Sequence, residues 1–154
     1  MDEVSTWIDA PPERVWALVS DPTRYGEWSP ENQGGRWAPD TAKPGVGARF
    51  VGSNRHGKLR WKTHCTVIEY EEKVRFAFSV AESRTLWGYR LQAENGGTRI
   101  TEWRDRLRQP PLPIRLLENS GLLGRPRDTW IVNGMRQTLD AIKRTLEQGR
   151  ARLS

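Results

Sequence analysis

Cysteine is almost absent from this sequence, since Cys65 is the single one in 154 residues. One cysteine excludes an internal disulfide framework and is typical of a protein from a reducing compartment. Histidine is nearly as rare, with only His56 and His64. Zinc sites in proteins are usually built from four cysteine and histidine ligands. We therefore expect no metal and no cofactor.

Long apolar runs and blocks of like charge are also missing. No stretch approaches the about 20 apolar residues of a membrane-spanning helix. Met1 is followed by Asp2 and Glu3, which is not the basic start of a signal peptide. The net charge is +6, but no run of five or more like charges occurs and no nucleic-acid motif is present. We expect a cytoplasmic protein with no membrane span and no nucleic-acid partner.

Motifs for nucleophilic catalysis and for phosphate binding are missing as well. His64 and Cys65 are neighbours, so in a strand they point to opposite faces and cannot pair as base and nucleophile. Cys65 is interpreted as a small buried hydrophobic residue. The glycines at Gly34-Gly35 and Gly45-Val46-Gly47 lack the strand–helix context of a phosphate-binding loop.

Tryptophan is the residue type that is unusually abundant, with eight copies against three Tyr and three Phe. A buried indole needs a partner for its N–H group, so tryptophan is demanding to place. So many wide aromatic side chains in a small domain indicate a broad core or an aromatic-lined pocket.

The first part of the chain predicts one strand followed by two short helices. Val4–Asp9 alternates as a strand does, and Ala10-Pro11-Pro12 ends it. A short helix around Val15–Val19 follows, and Asp21 can cap a second one that ends near Trp28.

The middle of the chain predicts strands joined by turns. The strands are expected at Glu31–Pro39, Ala48–Asn54, Lys58–Tyr70, Val74–Val80, Trp87–Leu91 and Thr98–Leu107, with turns at Arg55-His56-Gly57 and Asn95-Gly96-Gly97. In the longest one, alternation places the odd residues inward, namely Leu59, Trp61, Thr63, Cys65 and Val67. The last strand has two possible registers, one burying Ile100, Glu102 and Arg104 and the other Thr101, Trp103, Asp105 and Leu107.

The end of the chain predicts one long amphipathic helix over Pro126–Leu146. Its apolar stripe, with steps of three and four, consists of Ile131, Met135, Leu139, Ile142 and Leu146. This helix would cover the apolar face of the sheet. Gly134 lies on or beside the stripe and indicates either close helix–sheet contact or room for a ligand. At this length, residues 1–154 are expected to form one domain.

Several segments resemble the SRPBCC superfamily of START-like and birch-pollen-allergen-like proteins. Ala10-Pro11-Pro12-Glu13-Arg14-Val15-Trp16 is similar to the start of such proteins, and Gly97-Thr98-Arg99-Ile100-Thr101-Glu102 resembles the bacterial polyketide cyclase/dehydrase branch. The resemblance implies an α+β helix-grip fold, in which a curved antiparallel sheet of about six or seven strands wraps around the C-terminal helix, with two short helices after the first strand. It also implies a deep cavity whose contents vary among members: lipids, sterols or polyketide intermediates.

The residues expected to line such a cavity are those on inward faces: Trp61, Thr63, Cys65, Phe76, Phe78, Trp87, Tyr89, Glu102, Met135 and Leu139. Trp16 and Trp28 are assigned to packing of the short helices, although Trp28 could also lie at the mouth. The candidates for acid–base chemistry are Glu102, Arg104 and Tyr89. The simpler interpretation of Glu102 nevertheless places it in solvent, paired across strands with Arg90 or Arg104.

Three functions follow as hypotheses. The first is binding of a hydrophobic or aromatic small molecule between sheet and helix, by a monomer or a homodimer. The second is an aromatase/cyclase-type enzyme that acts on a polyketide-like substrate in the same cavity. The third is a protein–protein interaction module that uses the apolar segment 110–123.

Overall fold

Seven antiparallel strands form one sheet in the order β1-β7-β6-β5-β4-β3-β2. The computed structural model describes residues 1–29, 32–39, 44–106 and 124–153. The strands are β1 (Asp2–Ile8), β2 (Asn32–Trp37), β3 (Arg49–His56), β4 (Leu59–Glu71), β5 (Arg75–Val80), β6 (Thr85–Glu94) and β7 (Gly97–Arg106). Among the described strand pairs, only β1–β7 joins distant parts of the chain, and it places the first described strand beside the last.

The described residues form three helices beside the sheet. Helix α1 (Pro12–Val19) begins with proline at its first position, where no backbone N–H is needed. A 3₁₀ helix (Pro22–Glu27) follows, and the Asp21 carboxylate caps it by accepting a hydrogen bond from the Thr23 backbone N–H at 3.0 Å. Helix α2 (Gly124–Leu153) is the long C-terminal helix. The predicted helix-grip fold, with a curved antiparallel sheet around the last helix, is confirmed.

The core lies between the concave face of the sheet and helices α1 and α2. The sheet contributes alternate residues, and α2 contributes its apolar stripe through Met135, Leu139, Ile142 and Leu146. Helix α1 buries Trp16 in this core, where its ring packs edge-on against Phe76 at 6.3 Å between centroids.

Polar contacts tie the second half of α2 to the start of the chain. The Lys143 ammonium group donates to the Trp7 carbonyl oxygen at 2.7 Å and lies over the Trp7 ring. Glu147 accepts from the Asp9 backbone N–H at 3.3 Å, and Arg14 donates to the Leu146 carbonyl oxygen at 3.2 Å. This end of α2 is therefore fastened to β1 and α1.

The β3–β4 hairpin differs from its prediction. Strand β3 continues through His56, so the turn lies at residues 57–58, where Gly57 adopts φ +62°. Leu59, predicted to face inward, is 65% exposed because it pairs with His56 at the tip of the hairpin, beyond the core. Further along β4, a register shift between Val67 and Glu69 reverses the alternation and turns Tyr70 toward Trp16.

Two tryptophans lie on the other face of the sheet, against glycines. The Trp103 ring covers Gly88 so closely that a Cβ there would come within 2.4 Å of it. Gly97 lies under Trp7, whose indole N–H donates to the Glu94 carbonyl oxygen at 2.7 Å. Contacts with glycines on the outer face of the sheet thus account for Trp7 and Trp103.

Other element bounds also shift. Helix α2 extends beyond the predicted Pro126–Leu146 at both ends, and strand β7 ends at Arg106 within the described residues. No helix among the described residues is long and apolar enough to cross a membrane. The predicted interaction segment 110–123 lies outside the described residues.

Candidate functional site

A cavity of about 600 Å³ lies between the concave face of the sheet and the first half of α2. Its size is within the range of small-molecule sites. The described residues that line it are Tyr25, Trp28, Ser29, Phe50, Gly52, Asn54, Trp61, Thr63, Cys65, Phe78, Val80, Glu82, Ser83, Trp87, Tyr89, Glu102, Ile131, Gly134, Met135, Gln137 and Thr138.

Aromatic rings hold the walls of the cavity in place. Phe50 and Phe78 meet edge-on with centroids 5.3 Å apart, and Tyr25 packs on Trp28 at 4.8 Å. Trp28 in turn meets Tyr89 edge-on at 6.4 Å. Because each ring has few rotamers and several neighbours, the walls present a large and stiff apolar surface.

Helix α2 leaves space at Gly134. Outside the neighbouring helix backbone, a Cβ built there would meet no atom of the described residues within 4 Å. Gly134 and Met135 both line the cavity, and the Thr138 hydroxyl donates back to the Gly134 carbonyl oxygen at 2.9 Å. Of the two interpretations of Gly134, the geometry excludes close helix–sheet contact and agrees with open space.

The outer end of the cavity lies where its lining residues are exposed. Trp61 is 37% exposed, and Glu82, Ser83 and Gln137 are exposed as well. Glu82 is held by His64, whose backbone N–H lies 2.6 Å from one carboxylate oxygen and whose Nδ1 lies 2.5 Å from the other. Desolvation alone would raise the Glu82 pKa, but these hydrogen bonds outweigh it and lower the pKa.

The inner end of the cavity contains a buried carboxyl group. Glu102 is 3% exposed and stands directly across from Tyr89 in the β6–β7 register. Burial raises its pKa from 4.5 to about 8, although the Tyr89 hydroxyl, a hydrogen-bond donor to the carboxylate, opposes the shift. Oε2 of Glu102 has no hydrogen-bond partner among the described residues, and neither has Nε1 of Trp28.

The other ionisable groups near this end stay protonated. Burial, and then the nearby Cys65 and Glu102, raise the Tyr25 pKa well above its usual value, and its hydroxyl donates to the Val19 carbonyl oxygen at 2.6 Å. Burial, followed by the charge of Glu102, also raises the pKa of Tyr89 well above its usual value. Burial also raises the pKa of the Cys65 thiol to about 12, so Cys65 is not a nucleophile at neutral pH.

Most of the residues expected at the cavity do line it: Trp61, Thr63, Cys65, Phe78, Trp87, Tyr89, Glu102 and Met135. Phe76 and Leu139 are not part of the described lining. They point inward as expected but are fully buried among core side chains, so they do not reach the open space.

The register of β7 corrects the simpler interpretation of Glu102. Ile100, Glu102 and Arg104 are the buried set, so Glu102 does not face solvent. Neither expected partner pairs with it. Arg90 is paired with Glu3, while Arg104 donates to Asp2 at 3.0 Å and lies over the Trp87 ring. Arg104, one of the acid–base candidates, is therefore beside the cavity and not in its described lining.

Sequence reasoning missed part of the cavity wall. Phe50, Gly52 and Asn54 line it from β3, and their alternation is a period-two signal that the sequence contains. Tyr25 reaches the cavity from the 3₁₀ helix, which has no comparable signal. Trp28 was expected to pack the short helices, with the mouth as an alternative. It packs on Tyr25 of the 3₁₀ helix and lines the inner end of the cavity, not its exposed outer end.

The described residues include no group of three or more His, Cys, Asp or Glu side chains that could hold a metal ion. The described lining offers hydroxyl, amide, indole, thiol and carboxyl groups.

Comparisons with known proteins agree with this architecture. The family described as polyketide cyclase/dehydrase and lipid transport matches residues 3–147. A polyketide-cyclase-like protein of Corynebacterium glutamicum is 35% identical, with a TM-score of 0.65 over 95% of this chain and 90% of that one. A Thermus thermophilus protein is 17% identical, with a TM-score of 0.70 over 96% and 97% of the two chains.

A third similar structure is the di-domain ARO/CYC StfQ of the steffimycin biosynthetic pathway. It is 11% identical, with a TM-score of 0.68 over 99% of this chain and 46% of that one. At such low identity, this likeness and that to the Thermus thermophilus protein show the fold alone. Among curated proteins, no significant match was found.

Proposed function

This chain belongs to the polyketide cyclase/dehydrase and lipid transport family, and from that premise we propose that it binds a hydrophobic or aromatic small molecule in the cavity between sheet and α2. The ligand would be a lipid, a sterol or a polyketide-like compound. The observation that supports this most directly is the aromatic-lined space of about 600 Å³. A wall of buried rings gains binding energy from apolar contact while freezing few rotamers.

The proposal is tested by titration with a neutral apolar dye, such as N-phenyl-1-naphthylamine, whose fluorescence rises in apolar surroundings. We expect saturable one-to-one binding by the wild-type protein. The variant Gly134→Leu would extend a side chain into the cavity. It should weaken dye binding at least tenfold, because the binding free energy that is lost is on the order of one buried apolar contact. Native mass spectrometry with organic extraction would identify a co-purifying ligand.

Asn133→Leu is the matched control, because Asn133 is the exposed neighbour of Gly134 on the same helix. It adds the same side chain outside the cavity and should leave dye affinity unchanged. Absence of saturable binding by the wild type, or equal affinity of the Gly134→Leu variant, would contradict the proposal.

A second candidate function is an aromatase/cyclase-type reaction on a polyketide-like substrate. It is favoured by one observation, the juxtaposition of the Glu102 carboxyl and the Tyr89 hydroxyl at the inner end. A carboxyl group whose pKa is near 8 can exchange a proton near neutral pH, as general acid–base catalysis requires. Arg104 would act only indirectly, by its place beside Trp87.

The variant Glu102→Gln separates the two candidates. If Glu102 moves a proton, turnover of a polyketide-like substrate should be abolished while affinity stays near normal, since an amide still forms hydrogen bonds but cannot transfer the proton. Equal loss of both would indicate a role in binding alone.

We place the protein in the cytoplasm, because its single cysteine is a free buried thiol. Monomer and homodimer are its two predicted states, which size-exclusion chromatography with light scattering distinguishes.

A further inference from the structure

Two buried polar atoms at the cavity have no partner among the described residues. They are Nε1 of Trp28 and Oε2 of Glu102. Trp28 is 5% exposed and Glu102 is 3% exposed, so neither relies on bulk water. Buried polar groups in native proteins are nearly always hydrogen-bonded, and leaving one unpaired costs about 1–3 kcal/mol. Something that occupies the cavity is expected to supply the missing partners.

Both groups belong to the same end of the cavity. The Trp28 ring packs edge-on against Tyr89, with centroids 6.4 Å apart, and Tyr89 stands across from Glu102 in the β6–β7 pair. Tyr25 supports the other side of the Trp28 ring at 4.8 Å, and its own hydroxyl is already bonded to Val19. The indole N–H and the carboxyl group are thus held by packed rings and paired strands.

We infer that this inner end is a recognition site for one neutral oxygen group of the ligand, a carbonyl or a hydroxyl, bound between the Trp28 indole N–H and the Glu102 carboxyl. This inference rests on the proposed function and specifies the ligand that the cavity takes. It makes Trp28 and Glu102 specificity-determining residues, whatever the rest of the ligand is.

The chemistry of the two groups selects the oxygen. An indole N–H only donates, so the ligand must offer an acceptor there, which an ammonium group lacks. A protonated carboxyl group donates and also accepts, so it can pair with a carbonyl or with a hydroxyl. The described lining contains no lysine or arginine, so a ligand carboxylate or phosphate would be buried without a cation. A neutral carbonyl or hydroxyl meets every condition.

Polar recognition of this kind discriminates more sharply than apolar contact does. A pocket that only matches shape discriminates weakly between ligands that differ by one methylene. A site that forms a hydrogen bond to a ligand oxygen rejects the analogue that lacks this oxygen. We therefore expect the protein to prefer a ligand with this oxygen over its oxygen-free analogue, a preference that ligand hydrophobicity cannot explain.

The test compares 2-naphthol with naphthalene as competitors of the apolar dye. Hydrophobicity alone favours naphthalene, which has no hydroxyl group to desolvate. We expect the wild-type protein to bind 2-naphthol about tenfold more tightly or better, as one buried hydrogen bond gives. Trp28→Phe removes the N–H and keeps a ring, and Glu102→Leu removes the carboxyl. In each variant the ratio of the two affinities should fall toward or below one.

Two further variants make the test specific. Trp16→Phe changes a buried tryptophan that packs on Tyr70 and Phe76 in the core, outside the described lining, and should keep the wild-type ratio. Glu102→Gln keeps a donor and an acceptor and should retain most of the preference. Circular dichroism and thermal unfolding establish that each variant is folded before its ratio is read.

The outcomes distinguish this inference from the proposed function. If the dye binds and wild type shows no preference for 2-naphthol, the inference is overturned while the proposed function stands. The inference is likewise overturned if either Trp28→Phe or Glu102→Leu keeps the full preference. If neither the dye nor either naphthalene binds, the proposed function itself fails.

Discussion

Glu102 enters the cavity by ordinary strand geometry, since Ile100, Glu102 and Arg104 occupy the inward positions of β7. Arg104 is neutralised by Asp2 at 3.0 Å, whereas Glu102 is left with an unpaired oxygen. A buried carboxyl without a cation favours its protonated form, which is the cause of the raised pKa. The folded protein therefore binds this proton more tightly than the unfolded chain does.

The raised pKa predicts how stability depends on pH. In the unfolded chain the carboxyl ionises near its ordinary value of 4.5, but in the folded state near 8. Between these values the folded state holds one more proton, so the free energy of unfolding should fall with rising pH by up to about 1.4 kcal/mol per pH unit. The contribution of Glu102 is fully present below pH 4.5 and is lost by about pH 8.

Urea unfolding of wild type and of Glu102→Gln across this pH range measures that contribution. Glutamine does not titrate, so the variant should gain stability relative to wild type as the pH rises. Parallel curves for the two proteins would show that Glu102 keeps an ordinary pKa in the folded state.

Helix α2 has two halves with different roles. Residues 143–147 bind the backbone or side chains of β1 and α1, as Lys143 does at the Trp7 carbonyl oxygen. Residues 131–138 face the cavity through Ile131, Gly134, Met135 and Thr138. One half fastens the helix, and the other forms a wall that leaves space for a ligand.

Gly134→Ala should stabilise the protein. The added Cβ meets nothing within 4 Å, so no clash offsets the gain in helix propensity of about 1 kcal/mol. Thermal unfolding measures this gain. Gly97→Ala is the opposing control, because its Cβ would come within 2.3 Å of the Ile8 carbonyl oxygen and should destabilise strongly. Destabilisation by Gly134→Ala would show that the helix touches the sheet there after all.

Two arginine pairs in the sheet predict different effects of substitution. Arg55 and Arg60 stand directly opposite each other, and no ion pair involves either within the described chain. Arg75 and Arg90 are also opposite, but Arg75 pairs with Glu71 at 3.0 Å and Arg90 with Glu3. Like charges across a strand pair destabilise by about 0.2–1 kcal/mol unless neutralised.

Arg60→Thr should therefore raise the free energy of unfolding at low salt by about 0.2–1 kcal/mol. This gain should shrink at high salt, because salt screens the repulsion. The matched variant Arg90→Thr removes an arginine that has a carboxylate partner and should give no gain. Urea unfolding at both salt concentrations checks the pair. A salt-independent gain at Arg60 would point to strand propensity instead of charge.

At the scale of the whole molecule, the closed core and the proposed ligand cavity lie in different regions. The core between α1, α2 and the β1–β7 edge of the sheet is closed, with Ile8, Leu18, Ile100 and Ile142 fully buried. The cavity opens on the side of β3, β4 and β5, under the first half of α2. The sheet is continuous across both regions, so the closed region holds the walls of the open one in place.

Substitutions in the two regions should separate these properties. Ile142→Ala lies in the closed core and should cost about 2–5 kcal/mol with little change in dye affinity. Met135 borders existing empty space, so Met135→Ala should cost less stability than Ile142→Ala and change dye affinity more. Urea unfolding and dye titration of both variants give the comparison. Equal effects on both properties would contradict the division.

The architecture was predictable from the amino-acid sequence. Strand alternation and the apolar stripe of α2 predicted a sheet covered by one long helix, and the family resemblance implied the helix-grip fold. These signals are local, because the side-chain period of a strand or helix follows from its own backbone geometry. They identified most of the inward positions of β4, β5 and β6, although Leu59 at the tip of its hairpin is exposed.

Which inward residues border the cavity could not be predicted from the local sequence pattern. Alternation alone did not predict which face of the sheet Glu102 lies on, because both registers of β7 mix apolar and charged residues. The pairing of β7 with β1 and β6 determines that face. Nor can periodicity tell whether an inward side chain meets another side chain, as Phe76 and Leu139 do, or open space, as at Gly134. That difference depends on the distance between helix and sheet, which is set by contacts far apart in sequence.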